Sequence, residues 1–203
     1  MKKICILDYG LGNIKSLYNS IAKIGYKPTF FSDDKKHHYD LIFIPGVGSF
    51  SAGSKLIKKK YGNFIKKTHL NDVSIFGICL GMQLLLNDGV ENGLNSGLKF
   101  IDGRVLKVTK NKIKLPIIGW NKVKFKKLKN LSFLSKYKNK KFYFIHSYSA
   151  HLKDQRNELG STTHDDITYT SAVIKKNCVG TQFHPEKSGE VGLEFLKDWI
   201  KNI

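Results

Sequence analysis

The sequence predicts an α/β fold: a mixed, mostly parallel β-sheet with flanking helices and an antiparallel extension. Short apolar runs alternate with amphipathic segments in the first half, which is typical of βαβ units around a parallel sheet. After about residue 98, β-rich segments are separated by lysine-rich turns, which is typical of antiparallel strands. A chain of 203 residues with 41% hydrophobic content can bury one sizeable core, so we expect a single domain over residues 1–203.

The first half supplies the predicted parallel strands. Residues 4–8 form an apolar run that indicates a buried strand. Residues 13–24 carry isoleucine and leucine at helical spacing, and Gly25 follows as a helix stop. We expect three further strands at residues 29–31, 41–44 and 74–78. A helix is expected to follow the last of them, at residues 80–86.

The second half supplies the predicted antiparallel extension. The chain then closes with an amphipathic helix over residues 191–200, whose apolar face includes Phe195 and Trp199. The expected strands lie at residues 99–108, 121–125, 141–145, 168–174 and 179–183.

The composition is strongly basic. The formal net charge is +19, with 35 basic residues against 16 acidic ones, and a field of this sign could attract a nucleic acid. However, only Arg104 and Arg156 are arginine, whereas phosphate and base recognition favour the arginine fork. The lysines are also dispersed, without the interleaved aromatic residues of single-strand binders. We therefore expect a solvated, lysine-rich surface and no nucleic acid partner.

The cysteines and the N-terminus indicate a cytoplasmic protein. Cys5, Cys79 and Cys178 are an odd number at wide spacing, with no CxxC pair and no zinc-like cluster. We expect no disulfide scaffold, no metal and no other cofactor, and we expect Cys5 and Cys178 to behave as small buried hydrophobic residues. No apolar stretch is long enough for a membrane span or a signal peptide, so we expect a cytosolic location and no membrane partner.

The strongest local motif is Gly-Ile-Cys-Leu-Gly at residues 77–81, where a predicted strand meets a predicted helix. It is the cysteine counterpart of the G-x-S-x-G nucleophile elbow, in which small flanking residues permit a sharp turn. A helix N-terminus also favours the thiolate form of a cysteine placed there. Taken alone, the motif would more simply indicate a buried cysteine between two ordinary glycines.

A histidine and a glutamate follow at the end of the last predicted strand. Pro185 biases His184 towards an extended conformation, and residues i and i+2 of an extended chain face the same side. We therefore expect the Glu186 carboxylate to lie against the imidazole of His184, where it would set the ring tautomer and stabilise the imidazolium. A surface histidine before a turn proline is the alternative interpretation.

A third motif, Ile-Pro-Gly-Val-Gly-Ser at residues 44–49, forms a glycine loop at the end of a predicted strand. Its backbone amides could hold a phosphate, but neither this loop nor the one at Gly10 and Gly12 has the glycine spacing of a dinucleotide fingerprint. No Walker A lysine pattern is present in the sequence either. The loop instead suits an oxyanion hole for acyl transfer, with one of its amides paired with the amide of Leu80.

Taken together, the motifs resemble those of the class I, or triad, glutamine amidotransferases. Within that class the sequence is similar to the glutaminase subunits of imidazole glycerol phosphate synthase, the HisH family. The resemblance extends from Lys3 to about Trp199. The segments that carry it are residues 8–13 (Asp-Tyr-Gly-Leu-Gly-Asn), 45–50 (Pro-Gly-Val-Gly-Ser-Phe), 77–83 (Gly-Ile-Cys-Leu-Gly-Met-Gln), 146–148 (His-Ser-Tyr) and 180–189 (Gly-Thr-Gln-Phe-His-Pro-Glu-Lys-Ser-Gly).

The resemblance implies a role for each matching residue. Cys79 would attack the side-chain amide of glutamine, His184 would pass a proton to the leaving ammonia, and Glu186 would orient His184. The remaining implied roles are a backbone oxyanion hole at Val47, Gly48 and Leu80; binding of the glutamine α-groups by Gln83, His146, Ser147 and Tyr148; and a partner interface near Asn13, Trp120 and Lys187.

The resemblance also implies a heterodimer with a (β/α)8 cyclase subunit of the HisF type. That partner would receive the ammonia for histidine biosynthesis, and glutaminase activity would be weak until the partner and its nucleotide ligand are present. One segment departs from the family pattern: residues 115–118 read Leu-Pro-Ile-Ile, where family members commonly carry a histidine before the Gly-Trp-Asn of residues 119–121. This departure affects the expected partner interface and leaves the triad untouched.

Three alternatives remain open from sequence. The first is a paralogous subunit that supplies ammonia for surface-polysaccharide sugar modification. The second is a catalytically idle basic binding protein, which the intact Cys79, His184 and Glu186 disfavour. The third is a cysteine peptidase or thioester hydrolase built on the same elbow.

Overall fold

The computed structural model describes residues 2–31, 38–109 and 114–203. These residues form a twelve-stranded main sheet, a separate two-stranded sheet and four α-helices. The strands are β1 (Ile4–Ile6), β2 (Thr29–Phe30), β3 (Leu41–Gly46), β4 (Ser74–Cys79), β5 (Leu86–Gly89), β6 (Asn95–Ser96), β7 (Ile101–Lys107), β8 (Ile117–Lys122), β9 (Lys124–Phe125), β10 (Lys141–His146), β11 (Tyr148–Leu152), β12 (Glu158–His164), β13 (Ile167–Lys175) and β14 (Cys178–Thr181). The α-helices are α1 (Ile14–Lys23), α2 (Phe50–Leu70), α3 (Leu80–Leu84) and α4 (Gly189–Lys201), and short 3₁₀ segments lie at Lys129–Tyr137, Gln155–Asn157 and Pro185–Lys187.

The main sheet has a parallel centre and an antiparallel extension. Strands β2, β1, β3, β4 and β14 lie side by side and run parallel. From β14 outwards, β13, β11 and β7 continue the sheet with antiparallel pairing. The remaining strands lie at the edges: β5 and β6 beyond β7, and β12 and β9 beside β13. The predicted fold class, a mixed α/β sheet with flanking helices and an antiparallel extension, is confirmed.

Each central strand is buried on both faces, because helices cover the sheet on either side. In β3, Leu41 and Phe43 belong to the core that α1 and α4 cover, whereas Ile42 and Ile44 belong to the core under α2 and α3. The same alternation along β1 places Cys5 in the second core. Neighbouring residues of a strand point to opposite faces, so continuous apolar runs supply both cores at once.

The two-stranded sheet lies over the face that α1 and α4 cover. Strands β8 and β10 pair antiparallel from Ile117 opposite His146 to Lys122 opposite Lys141. The inward side chains of β10, Phe142 and Phe144, are fully buried against aromatic rings of the core. Ring packing of this kind stabilises a core beyond the burial of apolar area alone.

The longest helix, α2, was not anticipated from the sequence. Its exposed positions are lysine-rich, and its buried stripe includes the small residues Gly53 and Ser54 between the larger Phe50 and Ile57. A stripe interrupted by small residues gives a weak helical signal. Gly53 is nevertheless required, because a Cβ at this position would lie 2.9 Å from the Leu80 side chain.

Other expectations differ from the structure in their bounds. The helix expected over residues 80–86 ends at Leu84, because the chain turns directly into β5. The strand expected over residues 121–125 is β8 followed by the two-residue β9, so it begins earlier, at Ile117. Strands β5, β6, β11 and β12 were not anticipated from the sequence.

Among the described residues, no helix is both long and apolar enough to cross a membrane. All three cysteines are free thiols. Cys5 and Cys178 are fully buried in the sheet, as their apolar surroundings in the sequence indicate.

The packing of α3 against β3 gives a stability prediction. A Cβ on Gly81 would lie 1.7 Å from the carbonyl oxygen of Ile44, a backbone atom that cannot move without displacing the strand. We expect Gly81→Ala to lower the free energy of unfolding by more than about 3 kcal/mol, as severe overpacking does. Gly62→Ala in α2 is the matched control: its nearest neighbour would be 3.9 Å away, and we expect a gain of up to about 1 kcal/mol from helix propensity. Chemical denaturation measures both, and an unchanged midpoint for Gly81→Ala would contradict this packing.

Candidate active site

Cys79 lies at a sharp turn between β4 and α3. Its backbone has φ 54° and ψ −109°, a conformation that a residue with a side chain rarely adopts. Small neighbours permit this turn: a Cβ on Gly77 would approach the Gly81 backbone to 2.6 Å. Backbone strain held by surrounding packing is common at functional sites. Here the strained residue is the last one of β4, so its sulfur lies at the carboxyl end of a central strand.

His184 and Glu186 form a buried pair beside this turn. The Nδ1 of His184 lies 2.8 Å from Oε1 of Glu186, and the two side chains are only 1% and 3% exposed. Nδ1 must carry a proton to donate to the carboxylate, so the neutral ring presents its other nitrogen, Nε2, as an acceptor. The contact does not arise from an extended chain, as the sequence argument assumed. His184 is extended, but Glu186 lies in the 3₁₀ turn Pro185–Lys187, which folds its carboxylate back onto the ring.

Backbone and hydroxyl contacts hold the pair in place. The backbone amide of His184 donates to the Tyr143 carbonyl, at 2.9 Å. The buried hydroxyl of Ser188 donates to the His184 carbonyl at 2.6 Å and accepts from the Tyr143 amide at 2.9 Å. The hydroxyl of Ser16 in α1 donates to the Glu186 carbonyl, at 3.3 Å. The turn that carries the pair is therefore fixed to both β10 and α1.

The parallel pairing of β4 and β14 brings the histidine turn next to Cys79. Gly180 lies opposite Gly77 and Thr181 opposite Ile78, so the chain that continues to His184 leaves the sheet beside the cysteine. The Sγ of Cys79 lies 3.5 Å from Nε2 of Gln182 and 3.8 Å from the carbonyl oxygen of Ile145.

The electrostatics of the site raise the pKa of His184. Burial alone would lower the pKa of His184, but the negative charge of Cys79 and the Glu186 carboxylate raise that pKa to about 10. The imidazolium form of His184 is therefore stable at neutral pH when the cysteine is a thiolate. A thiolate is the nucleophilic form of cysteine.

The glycine loop after β3 lies beside the same turn. Gly46 is the register partner of Cys79, so Val47 and Gly48 leave the sheet next to the cysteine, with Gly48 at φ 108°. The first amide of α2, that of Phe50, already donates to the Glu91 carboxylate at 2.7 Å. An occupied helix N-terminus is poorly suited to phosphate, which weighs against nucleotide binding at this loop. Leu80 is the first residue of α3 and is buried.

This arrangement of a strained cysteine, a buried His–Glu pair and a glycine loop can be compared with known proteins. A model of the family described as "Glutamine amidotransferase class-I" matches residues 5–203. The chain belongs to the class I glutamine amidotransferases.

Within this class the chain belongs to the HisH family. It is 41% identical to the imidazole glycerol phosphate synthase subunit HisH of Sulfolobus acidocaldarius, over 97% of this chain and 98% of that protein. It is 35% identical to the subunit of the same name from Lactococcus lactis subsp. lactis, over the full length of both. Among solved structures, a chain in the PurLQS structure from Thermotoga maritima aligns with a TM-score of 0.73 at 22% identity, covering 100% of this chain and 98% of that one. This last likeness shows the fold alone.

The residues expected to bind glutamine lie around the carboxyl end of this glutamine amidotransferase sheet. Gln83 is buried in α3, and its Nε2 donates to the Tyr148 carbonyl at 3.0 Å. His146 ends β10, and its Nδ1 lies 2.9 Å from the same carbonyl. Ser147 connects β10 to β11, and its carbonyl accepts from the Val108 amide at 2.9 Å. Gln83 and His146 are therefore tied to one carbonyl of β11.

The three residues expected at a partner interface lie in two places. Asn13 caps α1, where its side chain accepts from the Ser16 amide at 3.3 Å. Lys187 lies in the turn Pro185–Lys187, to which α1 is joined through Ser16 and Glu186. Trp120 is half exposed on β8, with its ring edge-on to Tyr143 of β10.

Several residues of this site were missed by the sequence argument. Gln182 and Ser188 fall within the recognised segment of residues 180–189, but only the folded contacts reveal what they do. Ile118 and Ile145 are exposed apolar residues beside Trp120, on the outer face of the small sheet. Alternation along β8 and β10 is the signal that could have found them.

Buried His146 gives a prediction for stability against pH. Burial lowers the pKa of His146 to about 4, against 6.5 for an ordinary histidine. Between pH 4 and pH 6.5 the unfolded chain therefore binds a proton at His146 that the folded chain does not bind. The contribution of His146 to the free energy of unfolding is thus complete above pH 6.5 and decreases as the pH drops towards 4. At pH 5 the loss is about 2 kcal/mol. We expect His146→Gln to reduce the difference in unfolding free energy between pH 7 and pH 5 by about that amount. Denaturant titration at the two pH values measures it, and the same difference in both proteins would show that His146 is not buried as a neutral ring.

Proposed function

We propose that this chain is the glutaminase subunit of an imidazole glycerol phosphate synthase, which hydrolyses glutamine and delivers ammonia to a partner in histidine biosynthesis. The observation that carries the proposal is the fully buried His184–Glu186 pair next to the strained Cys79. The matching relatives of 35–41% identity over nearly the whole chain are named as HisH subunits of that synthase. We place the protein in the cytosol, and its three free thiols suit that reducing compartment.

The first half of the reaction forms a thioester. The Cys79 thiolate attacks the side-chain amide carbon of glutamine, and the carbonyl π electrons move to oxygen. His184 gives its proton to the amide nitrogen, the C–N bond breaks, and ammonia leaves with a glutamyl thioester on Cys79. Glu186 keeps the imidazole in the orientation and tautomer that this transfer needs.

The second half restores the enzyme. Neutral His184 takes a proton from water as the water oxygen attacks the thioester carbon. The C–S bond then breaks, and glutamate leaves while Cys79 returns to the thiolate beside protonated His184. The new side-chain carboxyl group then gives up its proton, which ammonia takes in solution, so the cycle converts glutamine and water to glutamate and ammonium with no net change in protons or electrons.

Backbone amides and polar side chains would hold the substrate. We assign the oxyanion to the amides of Val47, Gly48 and Leu80, because the glycine loop and the start of α3 both border Cys79. We assign the α-amino and α-carboxylate groups of glutamine to the surroundings of the Tyr148 carbonyl. The residues of that group are Gln83, His146, Ser147 and Tyr148.

An exposed apolar surface next to the nucleophile is the proposed docking site for a (β/α)8 cyclase partner. On the outer face of the small sheet, Trp120 pairs with Tyr143, and Ile118 pairs with Ile145. The backbone carbonyl of Ile145 lies 3.8 Å from Sγ of Cys79. The strand that carries this surface therefore borders the proposed nucleophile. An interface here would enclose the ammonia as it leaves, and exposed aromatic and apolar clusters are typical of protein interfaces.

This surface also bears on the departure in residues 115–118. Ile117 is buried under the small sheet and Ile118 is exposed beside Trp120. One residue of this segment, Ile118, therefore lies on the proposed interface. The names of the relatives favour the histidine pathway over the surface-sugar paralogues. The buried triad favours an enzyme over a basic binding protein.

The proposal is tested by measuring glutamate formation from glutamine. We expect slow turnover by the chain alone and at least tenfold stimulation by an imidazole glycerol phosphate synthase cyclase subunit with its nucleotide ligand. Trp120→Ala should reduce this stimulation, since truncation of a central aromatic residue commonly costs an interface about 2 kcal/mol or more. Leu94→Ala, a change of another exposed apolar residue, is the matched control and should leave stimulation unchanged.

The other outcomes are equally informative. Glutaminase activity that the cyclase does not change would overturn the partner and leave the triad in place. Hydrolysis of peptides or esters without any turnover of glutamine would overturn the substrate. A loss of stimulation in both Trp120→Ala and Leu94→Ala would point to general damage and not to the proposed docking surface.

A further inference from the structure

Gln182 is a fully buried polar residue whose amide contacts the sulfur of Cys79. It lies just beyond β14, one residue after the pair Thr181–Ile78, and therefore next to Cys79 at the end of β4. Its Nε2 donates towards Sγ at 3.5 Å, which is a normal separation for an N–H donor to sulfur. A buried glutamine amide needs partners for its donors and acceptor, and the reactive sulfur is one of those partners.

A chain of two hydrogen bonds fixes which end of the amide faces the sulfur. The Tyr148 carbonyl can only accept, so the Gln83 amide turns its Nε2 towards it, at 3.0 Å. The same Nε2 donates to Oε1 of Gln182, also at 3.0 Å. Since the oxygen of Gln182 is held in this way, its NH₂ group must face Cys79.

The backbone of Gln182 is also fixed. Its amide donates to the Ser171 carbonyl of β13, at 2.9 Å. Contacts with β11, β13 and α3 thus fix the position and direction of the N–H that faces the sulfur. This orientation exists before any substrate binds. Donors that are oriented in advance in a site without water stabilise charge more strongly than donors that must reorganise.

We propose that Gln182 is a fourth functional residue of the site, whose N–H holds the sulfur of Cys79 in the thiolate form. This inference rests on the proposed function, because it assigns Gln182 a role towards the nucleophile of that reaction. Hydrogen bonds to an ionised acceptor are about twice as strong as neutral ones. Among the described residues, three other groups interact with Cys79: His184, the Tyr9 hydroxyl and the Ile145 carbonyl. The carbonyl can only accept a hydrogen bond. Unlike His184, the Gln182 amide does not exchange protons during the cycle, so it remains a donor when Cys79 attacks and again when the thiolate leaves the thioester.

The test is the rate of alkylation of Cys79 by iodoacetamide as a function of pH. Only the thiolate reacts, so the midpoint of the profile reports how strongly the site favours it. Peptide mapping isolates the signal of Cys79, and burial raises the pKa of both Cys5 and Cys178 to about 12, which keeps them unreactive. The readout does not depend on glutamine turnover or on a partner.

Two variants of Gln182 change the donor in different ways. Gln182→Glu keeps the shape and replaces the N–H donor with an acceptor, and Gln182→Asn keeps the amide but withdraws it by one methylene. We expect both variants to move the alkylation midpoint to higher pH. For Gln182→Glu the expected shift is about one pH unit or more. At a pH below the midpoints of the wild type and the variant, this is roughly a tenfold fall in the thiolate fraction. Gln155→Glu, at an exposed glutamine, is the matched control and should leave the midpoint unchanged.

A third variant tests the orientation of the amide. Gln83→Met removes the donor that holds Oε1 of Gln182, so the amide of Gln182 can turn over. We expect a midpoint shift in the same direction as for Gln182→Asn. Circular dichroism spectra that match the unmodified protein show that each variant is folded, and Gln182→Asn remains available if the buried carboxylate of Gln182→Glu prevents folding.

The outcomes separate this inference from the proposed function. A wild-type profile with its midpoint well below that of a free thiol, unchanged in folded Gln182→Glu and Gln182→Asn, overturns the role of Gln182 and leaves the triad intact. A wild-type midpoint equal to that of a free thiol also overturns the role of Gln182, whereas only a failure to turn over glutamine overturns the proposed function, because His184 could still activate Cys79 as a general base. A midpoint shift in both Gln182 variants, and none in Gln155→Glu, supports the inference.

Discussion

The site depends on one feature of the sheet, the parallel pairing of β4 with β14. These strands are about a hundred residues apart in sequence, and their register sets Gly180 opposite Gly77 and Thr181 opposite Ile78. The pairing places the cysteine turn and the histidine turn at the same edge, where the carboxyl ends of parallel strands in open α/β sheets commonly form binding sites. The contact between Gln182 and Cys79 follows from that register.

The site combines strain with buried charge, and both need support from the surrounding fold. The positive φ of Cys79 persists because Gly77 and Gly81 leave room for a turn that packs directly on β3. The pair His184–Glu186 is shielded from water, so its attraction is strong, but each buried charge must be compensated. The hydroxyls of Ser16 and Ser188 hold the backbone of this pair, which keeps the charges at hydrogen-bond distance.

The sequence predicted the fold class and indicated the residues of the proposed triad, because both leave local signals. Apolar runs marked the central strands, and the Gly-Ile-Cys-Leu-Gly and His-Pro-Glu motifs marked the cysteine and histidine turns. It did not predict α2, whose buried stripe contains glycine and serine. It also did not predict the 3₁₀ turn that brings the Glu186 carboxylate onto His184. The roles of Gln182 and of the apolar surface around Trp120 depend on strands that pair across long stretches of sequence. No local pattern encodes such pairings.

The most direct test of the account is covalent trapping with a glutamine analogue that carries a diazoketone in place of the side-chain amide. Mass spectrometry of the digested protein should find a single adduct, on Cys79, and none on Cys5 or Cys178, which are fully buried. Glu186→Gln should slow formation of the adduct by orders of magnitude, because the imidazole of His184 would no longer be held in its reactive tautomer. An adduct on another residue, or the same rate of labelling in Glu186→Gln, would contradict the assignment of Cys79, His184 and Glu186 as the catalytic triad.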